Sequence, residues 1–408
     1  MDRRVVISGI GIHSCIGKDI DAVTKSLKEG RSGIGIDPVR KEMGYRSPLT
    51  GILDSPSLKG ILSRRERVNM SEQAVYAYFS TVEALNNANI DSDFLEKNIV
   101  GMIFGNDSSA RAVMESIDKI REKNDTTLLG SGSIFQSMNS TVTMNLATIF
   151  KVKGINFTIS AACSSGGHSI GTAYNLIRSG MQDTIICGGA QEVNPHAFGS
   201  FDGLGVFSTY PGHPSKSSRP FDKARDGLVP SGGGATLILE SLDSAIKRSA
   251  PILAEVTGYG FSSNGKHISA PDVNGQIRSM EMALKDANKH PKEIDYINAH
   301  ATSTPIGDIC EAEAIYSIFN KYNTPVSSTK SMTGHECWMS GASEVIYSII
   351  MMQNSFIAPN INFDKRDDAL PKINIFAQPF KKELNTIMSN SFGFGGTNSN
   401  LIISKYES

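Results

Sequence analysis

The strongest constraint on this chain is an alternation. Short runs of β-branched residues recur along its 408 residues, and most are followed by a stretch with helical periodicity. The runs at 4–8, 99–104, 155–160, 184–187 and 235–239 read as strands, and the patterns at 70–87, 167–178 and 242–249 as helices. From about residue 250 the plan starts again. Strands are expected at 252–259, 296–299, 387–389 and 401–403, and helices at 276–287, 308–319 and 340–352. This predicts α/β layering about a mostly parallel, covered sheet, in two halves, 1–250 and 251–408. Gly9 and Gly11 are expected to break the first strand, and Gly188 and Gly189 to end the fourth. The Pro-, Gly-, Ser- and charge-rich segment 208–226 reads as a long surface loop.

A chain this long exceeds one simple core, which agrees with two fused halves. Its net charge of -1 argues against a bulk electrostatic grip on nucleic acid or anionic lipid. Five cysteines, widely spaced and without a C-x-x-C pair, argue against a disulfide framework or a zinc ribbon. They fit a reducing cytoplasm. The opening MDRRVVISGIGIHS reads as a first strand, not as a signal peptide. The most apolar late stretch, 345–352, is far too short to span a membrane.

One cysteine has a distinctive setting. In SAACSSGGHS, Cys163 follows a predicted strand and precedes a predicted helix. Free N–H groups and the positive dipole end gather at a helix start, where they lower a thiol pKa. That setting alone leaves a buried structural thiol and a nucleophile equally open. Two further turns have the same strand–turn–helix form. NAHATSTPIGD places His300 at a strand end, and SSTKSMTGHE places Lys330 and His335 in a small-residue turn. Strand ends form the ligand crevice of an open α/β sheet. A thiol and two imidazoles gathered there suggest acyl transfer, with cysteine as nucleophile and histidines as acid–base groups. SNSFGFGGTNSN, at 389–400, reads either as a plain hairpin or as a loop that offers a backbone N–H to an oxyanion.

Taken together, SAACSSGGHSIG, HATSTPIGD, STKSMTGH and NSFGFGGTN resemble the condensing enzymes of fatty acid and polyketide synthesis. The match is closest to the β-ketoacyl-[acyl-carrier-protein] synthase I type and extends over nearly the whole chain. It also takes in VISGIGIHSCIG, EGRSGI, RPFDKARDGLVPSGGG and FIAPNIN. The resemblance implies a thiolase fold: two similar α/β halves in a five-layer α-β-α-β-α arrangement, normally dimeric. It implies that Cys163 takes an acyl chain from an acyl carrier protein, and that His300 and His335 promote decarboxylation of the malonyl carrier protein. Backbone N–H groups of Cys163 and Phe394 would form the oxyanion hole, with Phe394 also as gate. Lys330, with Glu344 behind it, would order the site, and Thr302 and Thr304 would bind the phosphopantetheine arm. No metal or other cofactor is implied, since loss of carbon dioxide drives the condensation.

The chain departs from that pattern in places. Ala301 stands where the family usually carries glycine, and Glu336-Cys337-Trp338-Met339-Ser340-Gly341 replaces Ser-Leu-Gly-Ala-Ala-Gly. The only tryptophan of the chain thus occupies a glycine position near the reaction centre, so packing there must differ. The segment 133–143, which in relatives lies at the dimer interface near the acyl pocket, is unusually polar. These departures point away from saturated long chains and toward a polyene or other secondary product. The alternatives are a chain-length-factor-like partner subunit of a heterodimer and a non-decarboxylating thiolase. Cys163 with both histidines disfavours the first. The Lys330–His335 pair disfavours the second.

Overall fold

The computed structural model describes residues 3–407. An 11-stranded mixed sheet runs through it. In the first half the strands are β1 (Val5–Ser14), β2 (Val100–Gly105), β3 (Asn156–Ile159), β4 (Thr184–Gln191) and β5 (Gly233–Ser241). They lie in the order β1-β5-β4-β2-β3. The second half contains β6 (Ala254–Ser263), β7 (Tyr296–Asn298), β8 (Pro325–Ser327), β9 (Asn374–Ile375), β10 (Thr386–Phe392) and β11 (Thr397–Ser404). Its order is β6-β11-β10-β7-β8, with the short β9 added at the edge. Each half therefore places its first strand beside its last, in one shared topology. The halves join where Val5–Ile7 of β1 pair antiparallel with Ala254–Val256 of β6.

Five layers follow from the helices. On the outside, α1 (Glu72–Asn87) and α2 (Thr141–Ile149) cover the first half-sheet. The helices α3 (Ser165–Arg178) and α4 (Val273–Asp286) follow Cys163 and β6 respectively. Next come α5 (Pro305–Phe319) and α6 (Ser340–Asn354). α4 covers the second half-sheet, with α5 against it, while α3 and α6 pack on each other between the sheets. α6 is buried from Ser340 to Met352, which is why its sequence is mostly apolar. α3 and α6 approach closely enough that a Cβ on Gly341 would lie 2.4 Å from the Gly167 nitrogen.

The predicted mostly parallel sheet is corrected to a mixed one. In the first half β1–β5 and β5–β4 are antiparallel, and only β4–β2 and β2–β3 are parallel. The expected glycine breaks are corrected too. β1 continues through Gly9 and Gly11, and β4 through Gly188 and Gly189. These glycines mark close approach: a Cβ would meet Ala84 O at 2.3 Å from Gly9 and Ser80 O at 2.1 Å from Gly11. The supposed surface loop is largely internal at 217–222. Arg219 pairs with Asp222 at 3.2 Å, and Arg225 with Asp308 at 3.5 Å, so its charges are neutralised inside. Among the described residues no helix is long and apolar enough to cross a membrane.

Candidate active site

The predicted turns converge on one cavity of about 490 Å³. Cys163, His300, Thr302, Thr304, His335 and Phe394 all line it. Lys330 and Glu344 do not reach it; they form a buried ion pair behind it.

Cys163 sits in a short 3-10 turn, Ala162–Ser164, that runs directly into α3. Ala162 holds φ 46, a conformation that costs a non-glycine residue energy and turns the chain sharply after β3. Ala162 N–H donates to Asp107 Oδ2 at 3.0 Å, which fixes the turn. Ser164 Oγ donates to Ser391 O and Thr397 O, both at 2.9 Å, and so pins β10 and β11 beside the cysteine. The glycine-rich segment between those strands takes the first of the two forms its sequence suggested. It is a hairpin, with Phe392 opposite Asn398, and it reaches the thiol. The backbone N–H groups of Phe394 and of Cys163 itself both act on the Cys163 sulfur.

The expected low thiol pKa is corrected. Burial pushes Cys163 up to about 12, outweighing the nearby Lys330 charge and the two N–H groups. Burial thus favours the neutral thiol over the thiolate.

His300 follows β7, and His335 follows the short helix Lys330–Thr333. Their rings lie 5.3 Å apart between centroids at an interplanar angle of 88°. Burial, with the Lys330 charge second, holds both well below the ordinary imidazole value, so both are neutral. His300 Nδ1 and His335 Nε2 are buried without a protein hydrogen-bond partner. Buried ring nitrogens without partners are what a ligand oxygen or proton would satisfy. Thr302 and Thr304 are 3.1 Å apart at their hydroxyls and sit at the N-terminus of α5, which begins at Pro305 rather than at the expected 308.

Lys330 Nζ donates to Glu344 Oε1. Burial raises the Glu344 carboxyl, against the pull of Lys330. Lys330 also acts on Glu311 and Glu336, so one cation faces three buried carboxyls.

Sequence reasoning missed several residues. Glu311 accepts the backbone N–H of His300 at 2.9 Å and of Ala301 at 2.6 Å, and so orients the first histidine turn. Asp308 and Glu311 lie on the buried face of α5. Acids on an otherwise apolar stripe were the available signal. Glu336 accepts from Ser14 at 2.8 Å, Ser343 at 2.5 Å and Tyr347 at 3.0 Å. Ser340 Oγ lies 3.0 Å from His335 Nδ1. The polar residues of 133–143 support the loop after β2: Asn139 Nδ2 donates to Asp107 O at 3.0 Å and Asn106 Nδ2 to Asn139 O at 2.7 Å. Among the described residues no three His, Cys, Asp or Glu side chains are placed to hold a metal ion.

Comparison with known proteins agrees with this geometry. The family description "Beta-ketoacyl synthase, N-terminal domain" matches residues 2–245, and "Beta-ketoacyl synthase, C-terminal domain" matches 253–364. The chain is 40% identical to 3-oxoacyl-[acyl-carrier-protein] synthase 1 of Haemophilus influenzae, over 99% of both chains. It is 39% identical to the Escherichia coli K12 protein of the same name, again over 99% of both. A beta-ketoacyl synthase from Burkholderia phymatum superposes with a TM-score of 0.94 at 33% identity, covering 99% of this chain and 100% of that one. A ketosynthase of a type II polyketide system, solved with its acyl-carrier protein and bound to the hexaketide, gives 0.90 at 26% identity over all of both chains. With both halves matched in order, and thiol, imidazoles and glycine hairpin meeting in one cavity, the chain belongs to the beta-ketoacyl synthase family.

Proposed function

We propose that this protein is a β-ketoacyl-[acyl-carrier-protein] synthase, an acyltransferase that condenses an acyl thioester with malonyl carrier protein. The observation that carries the reading is Cys163 beneath two neutral histidines in one cavity, with the Phe394 N–H at its sulfur.

In the first half-reaction Cys163 Sγ bonds to the acyl carbon, and the carrier thiol leaves with the cysteine proton. The growing chain is then held covalently, so the next step is effectively unimolecular. In the second half-reaction the malonyl carboxylate departs as carbon dioxide. Its bonding electrons pass to the thioester as an enolate. Neutral imidazole N–H donors of His300 and His335 stabilise that oxygen. The enolate carbon attacks the acyl carbon on Cys163, and the oxyanion meets the N–H groups of Cys163 and Phe394. Collapse breaks the C–S bond and releases a chain longer by two carbons, and the Cys163 thiolate that leaves takes up a proton from water. Lys330, paired with Glu344, fixes the floor of the site. Thr302 and Thr304 sit where they can hydrogen-bond the pantetheine amides. The scheme needs no metal or nucleotide. The intact Cys163 and both histidines disfavour a non-catalytic partner subunit.

The acyl carrier protein is the partner the chemistry requires. The other is a second copy of this chain or a related ketosynthase-like subunit. β3 is the last strand of its half-sheet and pairs only with β2, which leaves an open edge. Phe157 on β3, and Ile134, Phe135 and Met138 on the preceding segment, are exposed apolar residues.

Intact-protein mass spectrometry tests the reading. With acyl carrier protein donors, an acyl mass is expected on wild type and none on Cys163→Ala. Adding malonyl carrier protein should discharge it as a chain two carbons longer. No acyl mass with any donor would sink the proposal.

A further inference from the structure

The cavity has two unlike walls. Its rim is formed by exposed Gly205, Ser269, Ala270, Pro305 and Ile306, and its floor by Cys163, His300 and His335. One wall is polar, with Asn264, Thr302, Thr304 and Asn398. The other is apolar, with Phe201, Phe207, Leu228, Cys337 and Phe394. Amides of a carrier arm suit the polar wall, and an alkyl chain on the Cys163 sulfur suits the apolar one.

The apolar side is built of packed rings. Phe201 stacks on Phe394 at 6.3 Å and on Phe207 at 6.2 Å, and its ring lies 6.1 Å from the Trp338 indole. Trp338 does not line the cavity, yet it shares one buried cluster with Cys163, Cys337, Phe198 and Phe207. The indole therefore stands behind the lining, in the same packed cluster as Cys163. It is not free to swing aside: Nε1–H donates to Ser108 Oγ at 3.3 Å, and 6% of the residue is exposed. Beyond Ser108 the surroundings turn polar. A second cavity there is lined by Ser109, Glu72, Arg111 and Glu192.

We infer that Trp338 is a specificity-determining residue, the back wall of the acyl site, and that it restricts the acyl donor to short chains. The inference rests on the proposed ketosynthase reaction. A chain that overruns the indole must displace a hydrogen-bonded ring in a packed cluster, and packed aromatic clusters resist added methylenes.

The test uses butyryl- and dodecanoyl-pantetheine thioesters, which bypass the choice of carrier protein. Loading of Cys163 is followed by intact mass on wild type, Trp338→Gly and Trp338→Leu, with thermal melting to confirm that each variant is folded. The leucine variant covers the case in which the glycine variant does not fold. Wild type is expected to load butyryl faster than dodecanoyl by about tenfold or more. Either smaller side chain should reduce that ratio by about tenfold, chiefly by speeding dodecanoyl. Equal loading of both donors by wild type, or an unchanged ratio in a folded variant, overturns the inference and leaves the ketosynthase reading standing. No loading of either donor overturns that reading and the inference together.

Discussion

Ser340 Oγ lies 3.0 Å from His335 Nδ1, and the opposite ring nitrogen, Nε2, is buried with no protein partner. One hydroxyl at the start of α6 thus bonds one ring nitrogen and leaves the other without a protein partner, and in the proposed reaction that other nitrogen meets the substrate. Removing it with Ser340→Ala should lower kcat for malonyl decarboxylation by about fivefold, the size of one neutral hydrogen bond. KM should stay unchanged, and Ser340→Cys should restore part of the loss. An unchanged kcat would show that the ring is held by packing alone.

The resting thiol is protonated, since burial raises Cys163 to about 12. Its alkylation by iodoacetamide should still accelerate beyond about pH 9, where an ordinary cysteine levels off. A plateau near the ordinary thiol value, measured by labelling rate against pH, would contradict the buried neutral thiol.

His300 and His335 are both held below the ordinary 6.5 by burial, with Lys330 adding to the effect. Below that value the unfolded chain binds protons that the folded chain refuses. Their contribution to stability is therefore lost as pH falls through about 6.5 and lower. Glu311 and Glu336 have raised values and act the other way, adding stability as pH falls toward 4.5. Comparing wild type with His335→Gln isolates the histidine share. The variant should lose less Tm than wild type between about pH 7 and pH 5. Equal losses would count against a depressed His335.

Lys330 faces Glu311, Glu336 and Glu344 from a position 1% exposed. Lys330→Met leaves those carboxyls without their cation and should cost about 3 to 5 kcal/mol in stability. Adding Glu344→Gln should recover part of that, as read from thermal or denaturant melts. A single variant as stable as wild type would mean that the carboxyls are already protonated.

Gly341 is where α6 meets α3 most closely, with 2.4 Å from its built Cβ to the Gly167 backbone nitrogen. Gly341→Ala forces the two central helices apart and should destabilise by about 1 to 3 kcal/mol. Because Cys163 precedes α3 and His335 precedes α6, activity should fall more than the melting point suggests. Retained activity at a lower Tm would uncouple the helix contact from the site.

Much of this was legible in the residues. Runs of β-branched residues and helical patterns located β5, α1 and α6 to within a few positions, because such patterns are a local property. The turns carrying Cys163 and His300 could be recognised because each is a strand end followed by small residues and a helix start, whereas His335 follows the short helix Lys330–Thr333. The glycines misled. Gly9 and Gly188 look like strand breaks in one dimension, but they are places where a helix or a neighbouring strand comes too close for a Cβ. Segment 208–226 has the composition of a surface loop. Asp308, Asp367 and Asp222, mostly distant in sequence, make its arginines internal.

Residue type and local spacing alone were enough for most of the elements and for the family. The tertiary structure alone decided the protonation states, the partners and the depth of the site. Cys163 is a neutral thiol because of what surrounds it, and the expected helix-start thiolate is outweighed by burial. Glu311, Ser340 and Trp338 acquire their roles from contacts at the backbone of His300, at Nδ1 of His335 and behind Phe201. Desolvation and contact depend on the whole packed arrangement, and no short window of sequence contains it.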